Sequence, residues 1–175
     1  MPGHGQSGGM SVPTTVTMAD PLWRPSPKAK QLWAINAALL WLPLFVVQAV
    51  ALVFHWWPVW VHVTVLAVTI VLAILHVAVV PLWRYRVHRW EISDTAVYTR
   101  SGWFTQERRI APISRIQTVD TERGPIDRML GLATVTVTTA SSAGAVKISA
   151  LDQDTADRTV ARLTEIAGTN VGDAT

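Results

Sequence analysis

The feature that most constrains this chain is a run of 53 residues, from 31 to 83, that contains no Lys, Arg, Asp or Glu. One helix of that length would extend about 80 Å at ~1.5 Å per residue. The hydrocarbon core of a bilayer is only ~30 Å thick. A soluble domain cannot keep such a run in water, so the run predicts a two-helix hairpin over residues 31–83 that crosses a membrane twice.

Two crossings fit within this run, at residues 32–54 and 59–83, and each exceeds the roughly 20 residues that a spanning helix needs. The connection His55-Trp56-Trp57-Pro58 has no Lys or Arg, while residues 1–30 carry a net charge of +2 and residues 84–115 a net charge of +4. Basic flanks remain on the cytoplasmic side of a membrane. We therefore expect a multi-pass protein of the cytoplasmic (inner) membrane with both termini in the cytoplasm.

Polar residues inside the crossings form a stripe. His62, Thr69 and His76 recur every seven residues, so they share one face of the second crossing. We expect the stripe to face the first crossing and to form hydrogen bonds there, together with Asn36 and Gln48. The two histidines differ in height by about 21 Å, so within one chain they cannot bind one metal ion or one haem. A haem or proton-relay role would need partner subunits, which is the hypothesis of an accessory subunit of a membrane enzyme or transporter.

The first 30 residues are predicted to be a disordered cytoplasmic segment. Residues 1–20 are rich in Gly, Ser, Thr and Pro and offer few large apolar side chains to bury. Trp23 is expected to dip into the membrane interface. The start of the chain could be Met1, Met10 or Met18, and residues 49–51 resemble a signal-peptidase site; an intact mass near 19 kDa would exclude cleavage there.

From residue 84 onward the apolar period changes from helical to alternating, which predicts a cytoplasmic domain of strands over residues 84–168. The expected strands lie at residues 86–92, 96–100, 103–110, 116–122, 132–139 and 145–150. The last segment has apolar residues at helical spacing, which predicts an amphipathic helix that ends at Gly168 and is followed by a flexible tail, 169–175. Asp152 or Asp154 would cap this helix. The domain is thus expected to be a strongly bent β-sheet or split barrel of about seven strands with a C-terminal capping α-helix.

One block of this domain resembles a known family. It reads Ser114-Arg115-Ile116-Gln117 and then Arg128-Met129-Leu130-Gly131-Leu132-Ala133-Thr134-Val135. Over roughly residues 30–167 the chain is similar to the bacterial PH-like domain family 2, the YdbS-like membrane proteins that carry a pleckstrin-homology-like domain. The resemblance implies a PH-like fold and no established catalytic activity. PH domains that hold phosphoinositides have a basic first hairpin turn, whereas here that turn is Ser93-Asp94-Thr95, so we expect no specific inositol-phosphate pocket.

The remaining sequence motifs favour a binding protein over an enzyme. There is no glycine-rich phosphate loop, no His-x-x-x-His pair and no Gly-x-Ser-x-Gly elbow. With no cysteine, thiolate zinc sites and cysteine nucleophiles are excluded. We therefore predict no catalytic residues, no metal site and no cofactor. The net charge of +3 reflects membrane topology, and we predict no nucleic-acid partner.

Two groups of residues are the candidate sites. The junction after the second crossing interleaves arginines with aromatics, and each basic group near an anionic leaflet contributes on the order of 1 kcal/mol. The membrane-interface and lipid candidates there are Trp83, Arg84, Tyr85, Arg86, Arg89 and Trp90. The partner-contact candidates are Arg108, Arg109 and Arg115, because Arg suits interfaces with carboxylates or phosphates.

These inferences lead to a hypothesis about function. The chain is expected to be a membrane-anchored PH-like binding or scaffold module that docks a protein partner or forms a homo-oligomer at the inner leaflet. The alternative is a module that binds the anionic lipid of that leaflet or acts in envelope stress. In both hypotheses the junction arginines lie against the lipid bilayer.

Overall fold

The computed structural model describes residues 20–102, 105–140 and 144–172. Two long helices, α1 (Ala29–Val53) and α2 (Val59–Val87), form an antiparallel hairpin. Both are long and apolar enough to cross a membrane, and most of their apolar side chains are exposed, as a lipid-facing surface requires. In the connection, His55 adopts a left-handed conformation with φ 53°, and Pro58 precedes the first turn of α2.

Hydrogen bonds between the two helices confirm most of the predicted polar stripe. Gln48 Nε2 donates to Thr69 Oγ1 over 2.6 Å, and Trp41 Nε1 donates to His76 Nδ1 over 3.0 Å. His62 Nε2 is buried without a hydrogen-bond partner among the described residues. The expectation for Asn36 is wrong, since its side chain is exposed on the outer surface of α1.

The chain then forms a first antiparallel sheet of three strands in the order β1 (Arg89–Ile92), β2 (Ala96–Ser101) and β3 (Glu107–Pro112). A 3₁₀ turn at Ile113–Arg115 leads into the second sheet. That sheet is also antiparallel, in the order β4 (Ile116–Glu122), β5 (Leu132–Thr139) and β6 (Val146–Asp152).

Two helices complete the domain. Between β4 and β5, α3 (Pro125–Leu130) begins with proline and ends at Gly131, whose φ of 68° is the left-handed conformation that glycine adopts readily. The C-terminal helix α4 (Gln153–Gly172) packs against the second sheet. The core lies between the sheets and α4, and its largest fully buried members are Val97, Ile113, Val135, Val137, Ile148, Leu151 and Leu163.

This arrangement confirms the predicted fold: a two-helix hairpin followed by a PH-like domain of two three-stranded sheets with a C-terminal helix. The described residues contain six strands. The predicted helical face of α4 is also confirmed, because Ala156 and Leu163 are fully buried and Val160 and Ala167 pack beside them.

Several expected boundaries differ from the structure. The second membrane helix continues to Val87, four residues beyond its expected end, so the first strand begins at Arg89 and not at residue 86. Helix α4 continues past Gly168 to Gly172. A glycine inside a helix costs about 1 kcal/mol relative to alanine, which weakens the helix but does not by itself end it. The start of the expected third strand at residue 103 and the tail at residues 173–175 lie outside the described residues.

Candidate functional site

The segment before α1 is packed against the PH-like domain, which corrects the expectation of disorder for residues 20–30. We call residues 20–28 the N-terminal strap; residues 1–19 lie outside the described part of the chain. Trp23 pairs with Trp90 as an isolated antiparallel bridge, with N–H to O distances of 3.0 and 2.9 Å. The two rings meet edge to face with centroids 4.8 Å apart. Trp23 therefore covers the free edge of β1 and packs on the domain.

The strap is also bound to the last strand of the second sheet. A register shift in β6 accompanies a left-handed conformation at Ala150, with φ 57°, and the carbonyl of Ala150 accepts from the Ser26 amide over 2.9 Å. Ser26 Oγ donates to Asp152 over 2.9 Å. Lys28 Nζ donates to the carbonyl of Leu130 over 3.1 Å. Asp152, which was expected to cap α4, thus binds the strap.

The base of the membrane hairpin is buried in the domain. A second apolar cluster joins the first turns of α1 to the second sheet through Ala29, Leu32, Trp33, Leu132 and Ala150. All five are at most 6% exposed. The hairpin and the domain therefore share a packed interface.

The basic and aromatic residues at the end of α2 mostly contact α1. The Arg84 guanidinium lies over the Trp33 ring at 4.5 Å, and the Lys30 ammonium lies over the Tyr85 ring at 5.0 Å. Such cation–π contacts are worth on the order of 1 kcal/mol. Arg84 and Tyr85, which were predicted to meet lipid, are half-buried between the helices.

His88, the residue between α2 and β1, is buried and uncharged. Its ring packs against Trp33, with centroids 4.9 Å apart, and its Nδ1 lies 3.0 Å from the carbonyl of Arg84. Burial, with a smaller contribution from the Arg84 charge, lowers the pKa of His88 to about 4. The imidazole is therefore neutral at pH 7 and carries no charge to an anionic lipid.

The six lipid candidates fall into three environments. Trp83 and Arg86 are exposed, while Arg84, Tyr85 and Arg89 are half-buried. Trp90 is 6% exposed in the domain core, and its Nε1 donates to the Arg24 carbonyl over 3.2 Å. Placing Trp90 among the lipid contacts was therefore wrong, because the alternation of β1 turns Trp90 and Ile92 inward.

The predicted partner contacts are not brought together. Arg108 and Arg109 are neighbours on β3, so their side chains leave opposite faces of the sheet. Arg108 binds Asp20 over 3.1 Å, whereas Arg109 binds Glu107 over 2.6 Å and the Ala145 carbonyl over 3.1 Å. Arg115 is exposed on the 3₁₀ turn.

A polar cleft of about 520 Å³ opens where α2 meets the first sheet. Its basic lining residues are Arg84, Arg109 and Lys147, and its hydroxyls come from Thr99, Ser101 and Ser149. Glu107 and the neutral His88 also line it. Among residues 20–102, 105–140 and 144–172, no three His, Asp or Glu side chains come close enough to hold a metal ion.

The register of the first sheet sets three arginines in one row. Arg89 of β1 lies opposite Arg100 of β2, and Arg100 lies opposite Arg108 of β3. Asp20 of the strap binds Arg100 over 2.5 Å and Arg108 over 3.1 Å. We call Arg89, Arg100 and Arg108 the arginine row.

Sequence reasoning did not identify Asp20 or Arg100 as site residues. The sequence did contain a signal for Asp20, since it is the only acidic residue before Glu91. The row itself depends on strand register, which becomes visible only when the hairpin turns of the sheet are known.

The fold and this junction together define a class of protein, in which a two-helix membrane hairpin carries a PH-like domain. The sequence model of the Bacterial PH domain family matches residues 37–167. This chain therefore belongs to the Bacterial PH domain family, as its sequence predicted. It is 33% identical over 153 residues to the UPF0699 transmembrane protein YdbS of Bacillus subtilis (strain 168), a match that covers 83% of this chain and 94% of that protein. No solved structure matches the chain significantly.

Proposed function

We propose that this chain is a non-catalytic scaffold of the cytoplasmic membrane that presents its PH-like domain to a protein partner at the inner leaflet. The observation that carries this proposal is the double attachment of the domain. Helix α2 leads into β1 through the single residue His88, and the strap and the first turns of α1 pack against the second sheet. A domain held at two points keeps a defined orientation toward the bilayer, which is what a docking scaffold needs.

An apolar groove of about 560 Å³ between the strap, β1 and α4 supports docking of a protein segment. Trp23 and Trp90 contribute its aromatic surface, and Arg24, Arg158 and Arg162 also line it. Trp23 is 43% exposed. Apolar surface bordered by arginines is complementary to an amphipathic segment that carries carboxylates. The proposed occupant is therefore an acidic amphipathic segment of a protein partner.

Reversal of the groove charge tests this function. The full chain is purified in mild detergent as wild type, as the double variant Arg158→Glu/Arg162→Glu, and as the control Arg128→Glu, which changes an exposed arginine outside the groove. We expect a stoichiometric partner to remain with the wild type and the control and to be lost from the double variant, because two attractive charges become repulsive.

The mass of each purified complex decides between outcomes. Retention of the partner by the double variant would contradict the groove as its docking site. If the wild type is a homo-oligomer that dissociates only in the double variant, the occupant of the groove is a second copy of this chain.

A second candidate function is binding of anionic lipid, and it is favoured by the exposed residues at the end of α2. Trp83 is 51% exposed, and Arg86 is exposed one turn from the start of β1. Aromatic rings and arginines at this height match the headgroup region of a bilayer. Binding of phosphatidylglycerol to the full chain, compared between the wild type and Arg86→Gln, tests this candidate.

A further inference from the structure

The arginine row has an arrangement that the fold alone does not require. Neighbouring strands lie ~4.8 Å apart, and side chains directly opposite one another have Cβ atoms about 5 Å apart. The row therefore holds three guanidinium groups across the full width of a three-stranded sheet. Like charges that face each other directly destabilise a sheet, so this row needs an anion.

The chain supplies one carboxylate to three arginines. Asp20 binds Arg100 and Arg108, and the hydrogen bond from Arg100, with the charges of Arg108 and Arg89, holds the pKa of Asp20 below its usual range. Arg89 has no ion pair within the described ranges. Arg100, whose side chain is 16% exposed, keeps a buried Nε–H without a hydrogen-bond partner in the described part of the chain. The row thus keeps a net charge of +2 when Asp20 is bound.

Asp20 is placed so that another anion can replace it. Its side chain is 56% exposed, and it lies at the first described residue of the strap, outside both sheets. Its displacement leaves the Trp23–Trp90 bridge and the Ser26–Asp152 bond in place, since these involve other residues.

The row also lies at the end of the first sheet that is near α2. Arg89 is the second residue after the end of α2, and Thr99 of β2 lines the same cleft as Arg84. The topology predicted from the basic flanks puts this end of α2 at the inner leaflet. Arg100 and Arg108 are opposite Arg89 and therefore share its height. Guanidinium groups bind phosphate oxygens in a bidentate manner and stay charged at all physiological pH values.

From this geometry we propose that the arginine row is a binding site for the phosphate group of an anionic phospholipid headgroup, and that Asp20 is an internal competitor that occupies the site when no lipid is bound. The inference rests on the second candidate function, lipid binding, and assigns it a site. It differs from the junction residues predicted from the sequence, since two of its three arginines lie on β2 and β3.

The test counts lipid bound to the full chain. Wild type and variants are purified in mild detergent and titrated with phosphatidylglycerol or phosphatidylcholine, and native mass spectrometry measures the lipid that is retained. Arg108→Gln removes an exposed member of the row and Asp20→Asn removes the competitor. Arg128→Gln is the matched control, because Arg128 is exposed and lies on α3, which packs near the start of α1.

We expect Arg108→Gln to weaken phosphatidylglycerol binding roughly fivefold and Asp20→Asn to strengthen it by a similar factor, since one charge near an anionic lipid is at stake in each case. Phosphatidylcholine binding should be the same in all variants, and Arg128→Gln should bind phosphatidylglycerol as wild type does. The gain in Asp20→Asn is decisive when it exceeds that of Glu91→Gln, which removes a carboxylate on β1 outside the row, because a general charge effect would strengthen binding equally in both variants. Thermal unfolding of each variant confirms that it is folded.

Other outcomes separate the site from the function. Unchanged or weaker binding by Asp20→Asn overturns the proposal, as does an equal loss in Arg108→Gln and Arg128→Gln. If Arg86→Gln loses binding while every row variant binds as wild type does, the arginine row is not the site. Lipid binding by the junction residues at the end of α2 would then be supported. Displacement of phosphatidylglycerol by soluble glycerol phosphate would keep the site and make a free phosphate ester its ligand; no displacement would make the ligand a membrane lipid.

Discussion

At the scale of single residues, Arg84 and His88 lie one turn apart at the end of α2 and differ in charge. Arg84 keeps its charge under the ring of Trp33, whereas His88, one turn later, loses its charge by burial. The two residues are linked by a hydrogen bond that the His88 ring donates from Nδ1 to the Arg84 carbonyl. A positive charge on His88 would therefore meet both a buried environment and a neighbouring guanidinium.

His88 makes the domain sensitive to acid. Because its pKa is lowered to about 4 from an ordinary value of 6.5, the unfolded chain binds a proton more readily than the folded chain between these values. The contribution of the neutral His88 to the free energy of unfolding is therefore fully present above pH 6.5 and is lost as the pH falls toward 4, by up to about 3 kcal/mol. Thermal unfolding of the purified chain between pH 4 and 8 measures this loss. The decrease in unfolding temperature from pH 8 to pH 4 should be smaller in His88→Gln than in wild type, and in the control His55→Gln it should match wild type. An equal decrease in His88→Gln and wild type would contradict the prediction.

At the scale of secondary-structure elements, the strap is a segment with three prolines that lies before α1. It has no regular structure apart from the bridge at Trp23, and its order depends on bonds to other elements. Ser26 is central, since it is 5% exposed and its amide and hydroxyl both bind β6. The stability of the strap's hydrogen bonds therefore reports how strongly the domain is attached to the hairpin.

We expect Ser26→Ala to loosen the strap. The substitution removes the bond from Ser26 Oγ to Asp152 and leaves a half-buried carboxylate without that partner, which costs about 1–3 kcal/mol. Hydrogen–deuterium exchange should show faster exchange of the amides of Trp23 and Ser26, which are bonded to Trp90 and Ala150. Ser114→Ala, at an exposed serine, is the control; unchanged exchange in Ser26→Ala would mean that the backbone bonds alone hold the strap.

The elements differ in how far the sequence predicts them. The hairpin follows from the missing charges, and α4 from its apolar spacing, because both signals are local and repeat over many residues. The packing of the strap cannot be predicted in this way. Its residues 20–28 are polar or proline-rich, and its partners Trp90, Ala150 and Asp152 lie far along the chain. Trp90 was misjudged because an aromatic residue between arginines has the composition of a membrane interface, while its inward direction follows from strand alternation.

At the scale of the whole molecule, the two membrane helices and the PH-like domain form one packed unit. The buried cluster at the start of α1 and the continuous path from α2 to β1 join them from two sides. The proposed scaffold function uses this property, since the groove at Trp23 and the arginine row have fixed positions relative to the membrane helices. The proposed groove is apolar with a border of arginines, whereas the proposed lipid site is a row of arginines across the first sheet.

Orientation in the membrane can be measured directly, because the chain has no native cysteine. We expect Ser114→Cys, in the domain, to be labelled by a membrane-impermeant maleimide only after cells are permeabilised. Trp57→Cys, in the connection between the helices, should be labelled in intact cells, because basic flanks favour the cytoplasmic side and would leave the connection outside. The cysteine-free wild type gives the background, and labelling of residue 114 in intact cells would contradict the topology.

The bond from Ser26 to Asp152 joins residues that are 126 positions apart, and this separation imposes an order of events on synthesis. At a translation rate of about 5–20 residues per second, the 126 residues from 27 to 152 take roughly 6 to 25 s to be made. Both membrane helices are synthesised within that interval, before β6 exists. The bonds from Ser26 to β6 therefore form later than the bridge from Trp23 to Trp90 can form, and of the described elements only α4 remains to be made after them.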